Sequence, residues 1–319
     1  SAAGPGGLLP ATLKRCSRLI MEWDPDTVYA DALSLSQTKR VVTIVNIPKA
    51  TGGTRPISVI STLRRFASGM LTAFLTRALP QQLFDFQEGF REGGHIARHI
   101  LSLDILRLNN PSNATLFIDF KAAYDTVDQR YLRYILNTIG GPTLVSHVDS
   151  LLEGLSPVGV PQGLPLSPLL FILALQPVLL AIKRQFPSLR ILAYADDVAI
   201  HGPVHQLTAA VALLDSYSAS TGLKLNKAKC GFIDAVSPIP DIPTVSSYKY
   251  LGIMITSPSS YSVTVPEKEI SEKMSPLFRS NTLTSSDFNL TIRSIAAYKA
   301  TTRSISNASQ IEAAMYARL

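Results

Sequence analysis

Two adjacent carboxylates, Asp196 and Asp197, lie between two short runs of residues of the kind that form strands. The runs, 191–195 and 198–200, predict a β-hairpin with the acids at its tip. Adjacent like charges repel each other and destabilise a tight turn unless a cation lies beside them. Because the flanking residues are too apolar to solvate the charges, the pair predicts a Mg²⁺ site. An ordinary acidic turn has the same local pattern, so the pair alone leaves that alternative open.

A third acid, Asp119, follows the apolar run 114–118. That run predicts a buried strand, and a helix is expected to begin near Asp125 or Thr126. Acids at a helix start interact favourably with the helix dipole, which accounts for Asp125 and Asp128 without a catalytic role. Asp119 ends a strand and has no capping role, so it is the expected partner of the acidic pair.

The elements that must position these acids have recognisable patterns. Strand patterns occur at 41–48, 231–233 and 248–255, and helix patterns at 61–80, 93–109, 168–184 and 205–221, with further helix expected after residue 267. A loop rich in Gly and Pro, 158–168, is typical of backbone held at fixed dihedrals near a ligand. His95 and His99 are one helical turn apart without a third ligand type nearby, so we interpret them as surface residues or residues facing nucleic acid.

Composition narrows the class of protein. With 46% hydrophobic and 17% charged residues, the 319-residue chain has an ample core and is not of a disordered type. A net charge of +7 favours a polyanionic partner. The two cysteines, Cys16 and Cys230, are too few for a disulfide framework, which predicts an intracellular, reducing compartment (nucleus, cytoplasm or mitochondrion). Prolines interrupt the apolar run 164–182, which predicts a buried core helix and no membrane partner.

Five motifs, taken together in this order, resemble the reverse transcriptase domain, in particular that of non-long-terminal-repeat (LINE-like) retrotransposons. They are Phe-Ile-Asp-Phe-Lys-Ala-Ala-Tyr-Asp-Thr-Val-Asp at 117–128, Gly-Val-Pro-Gln-Gly-Leu-Pro-Leu-Ser-Pro at 159–168, Tyr-Ala-Asp-Asp at 194–197, Gly-Leu-Lys-Leu-Asn-Lys-Ala-Lys at 222–229 and Tyr-Leu-Gly-Ile at 250–253. Each motif is weak by itself, but their order and spacing over about residues 49–255 are very specific.

The resemblance implies an α+β fold of the right-hand polymerase type, with fingers, a palm whose antiparallel sheet is backed by helices, and a helical thumb. It divides the chain into an N-terminal extension (1–40), fingers (41–118), a palm with an interleaved fingers segment and the primer grip (119–265), and all or part of the thumb (266–319). No endonuclease, ribonuclease H or zinc-knuckle pattern occurs, so we expect the chain to be part of a longer polyprotein or complex.

The activity that the resemblance implies is RNA-directed DNA synthesis, in which a DNA or RNA primer on an RNA template is extended with dNTPs. Two Mg²⁺ ions, or Mn²⁺, about 3.5–4 Å apart would stabilise the attacking and leaving oxygens. By resemblance, Asp119 and Asp196 bridge the metals, the carbonyl of Phe120 adds a ligand, and Asp197 has a supporting part.

The resemblance also implies a nucleotide pocket. Lys49 and Arg55 would hold the incoming triphosphate, and Gln162 would lie along the nucleotide sugar. Tyr124, five residues after Asp119, occupies the position of the steric gate, where a bulky ring excludes a 2′-hydroxyl and so favours deoxynucleotides. A core aromatic residue at a helix start is the alternative interpretation of Tyr124.

Three further assignments complete the implied site. Lys229, or alternatively Lys227, would protonate the leaving pyrophosphate. Leu251 and Gly252 would belong to the primer grip. Leu164 departs from the family pattern, which commonly has a small or polar residue there, and this departure is expected to alter template contact.

The same motifs allow two functions other than that of an active reverse transcriptase. One is a catalytically retired domain kept as an RNA-binding scaffold. Such a domain would be free to lose the three acids and the fingertip cations, Lys49 and Arg55, all of which are present here. An RNA-directed RNA polymerase would admit ribonucleotides, and Tyr124 argues against it.

Overall fold

The computed structural model describes residues 24–37, 43–48, 54–91, 94, 96–155, 158–235 and 241–257. The helices are α1 (Pro25–Gln37), α2 (Thr62–Ala78), α3 (Ile96–Asn109), α4 (Ala123–Thr126), α5 (Gln129–Leu152), α6 (Ser167–Gln185) and α7 (Val204–Thr221), with a 3-10 helix at Gln81–Phe84. The strands are β1 (Thr43–Pro48), β2 (Thr54–Val59), β3 (Ala114–Ile118), β4 (Arg190–Tyr194), β5 (Asp197–Gly202), β6 (Gly231–Ile233), β7 (Ser247–Tyr250) and β8 (Ile253–Thr256). The predicted thumb, 266–319, lies outside the described residues.

The central sheet has four strands in the order β4-β5-β3-β6, and each neighbouring pair is antiparallel. Every residue of β3 is buried, as expected of a strand with neighbours on both sides and packing on both faces. The predicted antiparallel sheet is confirmed. Two further hairpins, β1–β2 and β7–β8, lie outside this sheet.

The two faces of the sheet pack against different elements because successive side chains of a strand point to opposite sides. Leu116 and Ile118 belong to the larger core, which includes residues of α5, α6 and α7. Phe117, between them, belongs to a second cluster with residues of α3, β7 and β8. Odd-numbered residues of β3 therefore face α3 and the β7–β8 hairpin.

Helix α6 forms the centre of the larger core. Twelve of its residues are buried, and Pro168 lies in its first turn, where no backbone hydrogen bond is lost. In the described part of the chain, α6 is the helix whose length and apolarity would allow it to cross a membrane, but 67% of that window is buried inside the fold. The prediction of a buried core helix is confirmed.

One predicted helix start is wrong. Residues 123–126 form only the single turn α4, and the long helix α5 begins at Gln129. Its N-cap is Asp128, whose carboxylate accepts hydrogen bonds from the backbone amides of Arg130 and Tyr131 at 2.8 and 3.0 Å. Asp128 therefore has the capping role, and Asp125 is available for a different contact.

Candidate active site

The turn that carries the two acids joins β4 to β5 in two residues. Tyr194 pairs with Asp197 at the end of the ladder, so Ala195 and Asp196 form the loop. Ala195 has a φ of 57°, and positive φ in such a loop matches the twist of the flanking strands. We call Ala195 and Asp196 the acidic turn. The predicted hairpin is confirmed, but its loop lies one residue earlier than predicted, and Asp197 is the first residue of β5.

Asp119 reaches the acidic turn through the register of the sheet. Ile118 pairs with Val198, so continuing the same register by one residue places Asp119 opposite Asp197. Directly opposed residues of antiparallel strands project from the same face. Asp119 and Asp197, with the neighbouring Asp196, therefore meet at one end of the sheet although they come from distant parts of the chain.

Desolvation by the surrounding protein is the main reason why the pKa of Asp197 is raised to about 6, and repulsion from Asp196 and Asp119 adds to it. The pKa of Asp196 is also raised, chiefly by desolvation and further by Asp119, whereas Arg55 acts in the opposite direction. Both side chains still have access to solvent, because they lie at an open end of the sheet. Mutual repulsion in a partly desolvated site favours binding of a cation.

The donor atoms at this site fit Mg²⁺, which prefers hard oxygen ligands such as carboxylates. Within the part of the chain that the structure describes, no three His, Cys, Asp or Glu side chains form a cluster that encloses an ion by themselves. Mg²⁺ commonly binds through one or two carboxylates, keeps several waters and takes its remaining ligands from substrate phosphates. The carboxylates therefore suit a metal whose coordination is completed by a nucleotide.

The backbone of Phe120, whose carbonyl is a predicted metal ligand, is oriented by its bridge to the segment around Leu225. It lies opposite Leu225 in an antiparallel bridge, and beside it the amide of Asn226 donates to the carbonyl of Asp119 at 2.8 Å. Successive carbonyls of an extended chain point in opposite directions. The carbonyl of Phe120 is therefore directed away from Leu225, to the side of the strand on which β5 lies, while its ring is buried.

Tyr124 is held rigidly beside the acidic turn. Its ring stacks on Phe171, with centroids 4.8 Å apart and an interplanar angle of 16°. Its backbone carbonyl accepts a hydrogen bond from the amide of Val160 at 2.7 Å. Burial raises the pKa of Tyr124, Asp196 raises it further and Arg55 lowers it. The hydroxyl therefore lies within the electrostatic reach of both Asp196 and Arg55.

The loop rich in Gly and Pro, 158–168, contacts both the β1–β2 hairpin and the short helix α4. The side-chain Nε2 of Gln162 donates to the carboxylate of Asp125 at 3.2 Å. The backbone carbonyl of Gln162 accepts a hydrogen bond from the backbone amide of Ser58 on β2 at 2.8 Å. Gly159 has a φ of 76°, and a Cβ there would lie 2.6 Å from the carbonyl oxygen of Tyr124. Only glycine permits so close an approach, so the loop packs directly against the backbone of Tyr124 and Asp125.

The two candidate lysines have different surroundings. The Nζ of Lys227 lies 2.8 Å from the carboxylate of Asp215 and 3.5 Å from that of Asp241. The hydrogen bond to Asp215 is the main reason why the pKa of Lys227 is raised. Lys229 is exposed, and its backbone carbonyl accepts a hydrogen bond from the hydroxyl of Tyr248 at 3.0 Å.

The predicted primer-grip residues form a second two-residue turn, between β7 and β8. Leu251 and Gly252 have φ angles of 48° and 82°, the geometry of a type I′ hairpin, and we call them the Leu-Gly turn. The hydroxyl of Tyr250 donates to the carbonyl of Asp197 at 3.2 Å. It lies 2.8 Å from Nε2 of His99, and because its single proton is used, His99 must be the donor. Tyr250 thus connects the two turns.

Two interpretations from the sequence are wrong. His99 has no exposed surface, and burial lowers its pKa to about 4, so it is a core residue that faces neither solvent nor nucleic acid. Leu164 is 2% exposed, so its side chain packs in the core instead of facing a template. His95 and the predicted fingertip cation Lys49 lie outside the described residues.

Sequence reasoning also missed a contact to the acidic turn. Gln87, which is 1% exposed, accepts a hydrogen bond from the amide of Ala195 and donates one to its carbonyl, both at 3.0 Å. A Cβ at Gly89 would overlap the backbone nitrogen of Ala195. The available signal was Gly89 two residues after the polar Gln87, outside the helix and strand patterns. The local sequence does not indicate that their contact is Ala195.

The chain matches the family described as reverse transcriptase (RNA-dependent DNA polymerase) over residues 47–255. It is similar to the Pol polyprotein of the type-2 retrotransposable element R2DM of Drosophila melanogaster, with 26% identity over 81% of this chain and 29% of that protein. It is also similar to the transposon TX1 149 kDa protein of Xenopus laevis, with 25% identity over 64% of this chain and 18% of that protein. The chain thus spans less than a third of the length of these relatives.

Solved structures support the fold. Apo telomerase from Candida tropicalis superposes with a TM-score of 0.52 at 14% identity, over 85% of this chain and 55% of that one. The same telomerase in complex with a fragment of telomeric RNA gives 0.51 at 13% identity, over 85% and 60%. The predicted right-hand polymerase fold is confirmed by this likeness, which at such low identity concerns the fold alone.

Proposed function

Because the chain belongs to the reverse transcriptase family, and within it to the LINE-like kind found in retrotransposons, we propose that it is an active RNA-directed DNA polymerase. The observation that carries the proposal is the convergence of Asp119 with Asp196 and Asp197 at one end of the sheet. A folding role does not account for three acids that repel one another at a site where desolvation, together with that repulsion, raises the pKa of Asp197. The domain boundaries at 40, 118 and 265 remain predictions.

Asp119, Asp196 and the carbonyl of Phe120 would hold two Mg²⁺ or Mn²⁺ ions, with Asp197 in support. When bound, these ions supply charge stabilisation to the attacking 3′-oxygen and the leaving oxygen. Arg55, whose charge already acts on Asp196, is suited to hold the triphosphate from the fingers side together with Lys49. Gln162, anchored between Asp125 and Ser58, would line the sugar pocket.

Lys229 is the better candidate for the proton donor to pyrophosphate. Lys227 is engaged by the carboxylates of Asp215 and Asp241, whereas no hydrogen bond or ion pair holds the Lys229 ammonium among the described residues. Lys229→Met should therefore lower the incorporation rate by roughly 10²–10⁴-fold. Lys227→Met should change it by much less, and the opposite ranking would assign the role to Lys227.

The proposed substrates are an RNA template, a DNA or RNA primer and dNTPs. The net charge of +7 suits backbone-directed binding of nucleic acid, and such binding weakens steeply with salt. The relatives are polyproteins or proteins several times longer than the matched segment, which supports a place in a longer polyprotein or complex. Leu251 and Gly252 would contact the primer strand.

The test of the proposal is dNTP incorporation on an RNA-templated primer with Mg²⁺, run beside a DNA template. Asp119→Asn should lower incorporation by at least about a thousandfold while primer-template affinity stays within about twofold, because only the metal ligand changes. Asp149→Asn is the matched control, since its surface ion pair with Arg133 contributes little. A parent chain that retains RNA but never incorporates a nucleotide would support the scaffold alternative.

Tyr124 distinguishes a DNA polymerase from an RNA polymerase. Its ring is fixed by Phe171, so it would act as a rigid barrier to a 2′-hydroxyl. Tyr124→Val should raise ribonucleotide incorporation relative to deoxynucleotide incorporation by at least about tenfold, whereas Tyr134→Val, at a residue that is 71% exposed on α5, should leave the ratio unchanged. Unaltered discrimination in Tyr124→Val would remove the gate from the proposal.

A further inference from the structure

Gln87 makes two hydrogen bonds to a single residue of the acidic turn. Its Oε1 accepts from the amide of Ala195 and its Nε2 donates to the carbonyl of Ala195, both at 3.0 Å. The side chain is 1% exposed, so water does not compete for these bonds. Ala195 has a φ of 57° and is followed directly by Asp196.

The segment that carries Gln87 is itself fixed to β4. The amide of Ala193 donates to the carbonyl of Phe86 at 2.7 Å, and the amide of Glu88 donates to the carbonyl of Ala193 at 2.9 Å. Gly89 packs so closely on Ala195 that a Cβ would overlap its backbone nitrogen. Gln87 therefore extends from a rigid backbone, and its amide reaches Ala195 without freedom to move elsewhere.

From this geometry we infer that Gln87 is a positioning residue, which holds Ala195 in the left-handed conformation and thereby directs the carboxylate of Asp196. Positive φ is costly for most non-glycine residues and persists where the surrounding structure stabilises it. The two bonds from Gln87 satisfy both backbone groups of Ala195 in that conformation. Loss of the bonds would allow the turn to relax and would rotate the peptide that leads into Asp196.

The effect on catalysis rests on the proposed function, but the effect on the turn does not. Gln87→Met, which has a similar shape and no amide, should accelerate hydrogen exchange of the Ala195 amide by at least about tenfold. It should lower kcat for dNTP incorporation by roughly tenfold to a hundredfold, since small displacements of catalytic groups have effects of this size. The KM for dNTP and the Kd for primer-template should change by less than about threefold.

Gln176→Met is the matched control. Gln176 is also a buried glutamine, 2% exposed, and its Nε2 donates to a backbone carbonyl, that of Asp85, at 2.8 Å. Asp85 lies two residues before Gln87, so this variant loses a hydrogen bond to the same segment while both bonds from Gln87 to Ala195 remain. Exchange at Ala195 and kcat should therefore stay within about threefold of the parent. Gln87→Asn, whose amide ends one methylene short of Ala195, is the second test and should reproduce the loss seen with Gln87→Met.

The outcomes separate the two claims. Fast exchange at Ala195 in both Gln87 variants, with a parent that incorporates no nucleotide, would support the positioning role and refute the proposed activity. An active parent whose Gln87 variants keep both kcat and exchange protection would overturn the positioning role. Equal losses in the Gln87 and Gln176 variants would also overturn it, because they would show that the two bonds to Ala195 have no effect beyond that of loosening the segment.

Discussion

The acidic turn and the Leu-Gly turn are both two-residue hairpin loops, and both place a non-glycine residue at positive φ. The second residue of the Leu-Gly turn is Gly252, which tolerates its φ of 82°, and a Cβ there would meet nothing within 4 Å, while Leu251 packs against the second cluster. The acidic turn has no glycine, and contacts from Gln87 and Gly89 surround its first residue. The first residue of the acidic turn is thus held by contacts from a distant segment of the chain, whereas the second residue of the Leu-Gly turn needs no such contact because it is a glycine.

The largest expected difference between the turns concerns catalysis. Asp196→Asn should lower dNTP incorporation by at least about a thousandfold, since it removes a proposed metal ligand. Leu251→Asn, which tolerates positive φ, should mainly raise the KM for primer-template and leave kcat within about tenfold. Steady-state incorporation assays measure both values, and a collapse of kcat in Leu251→Asn would mean that the two turns do not have separate roles.

Acid should destabilise the fold through His99, the buried partner of Tyr250. The folded-state pKa of His99 is about 4, against an ordinary value of 6.5, mainly because of burial and despite an opposing effect of Glu88. The unfolded chain therefore binds a proton that the folded chain does not between these values. The contribution of neutral His99 to the free energy of unfolding is complete above pH 6.5. As the pH falls toward 4, about 3 kcal/mol of this free energy is lost.

Denaturant unfolding at several pH values measures this dependence. Asp197, whose pKa is raised to about 6, stabilises the folded chain as the pH falls and so opposes the effect of His99. The effect of His99 alone is therefore measured by comparing the parent with His99→Leu. The variant should be less stable at pH 7 and should lose less stability on acidification than the parent. Parallel pH profiles would show that His99 is not the group responsible.

The smallest expected effects concern the two glycines. Gly89→Ala should lower the free energy of unfolding by roughly 2–3 kcal/mol, because its Cβ overlaps the backbone of Ala195. Gly252→Ala should lower it by only about 1 kcal/mol, the cost of positive φ in open space. Gly69→Ala, in helix α2 with nothing within 4 Å of its Cβ, is the control and should not destabilise. Equal losses at Gly89 and Gly252 would contradict the difference between the turns.

Much of the site was predictable because its motifs are local. The strand that leads to Asp119 and the hairpin around Asp196 and Asp197 each depend on neighbours within a few residues, and their patterns identified them correctly. The single strand pattern at 248–255 is instead two strands, β7 and β8, joined by the Leu-Gly turn. The start of the long helix was harder to predict. Asp125, Thr126 and Asp128 are all acceptable N-caps, but only Asp128 has that role. His99 illustrates a different difficulty, because a histidine on a helix has the same sequence pattern whether it is buried or exposed.

The amino-acid sequence by itself determined the family, the order of the elements and the acids at the strand ends, since alternation and turn chemistry act over short distances. The tertiary structure alone decided which distant groups meet around those acids: Gln87 with Ala195, His99 with Tyr250, and Gln162 with Asp125. The physical reason is that each of these hydrogen bonds joins residues far apart in the chain. Such partners become neighbours only when the sheet register and the packing of its two faces are complete.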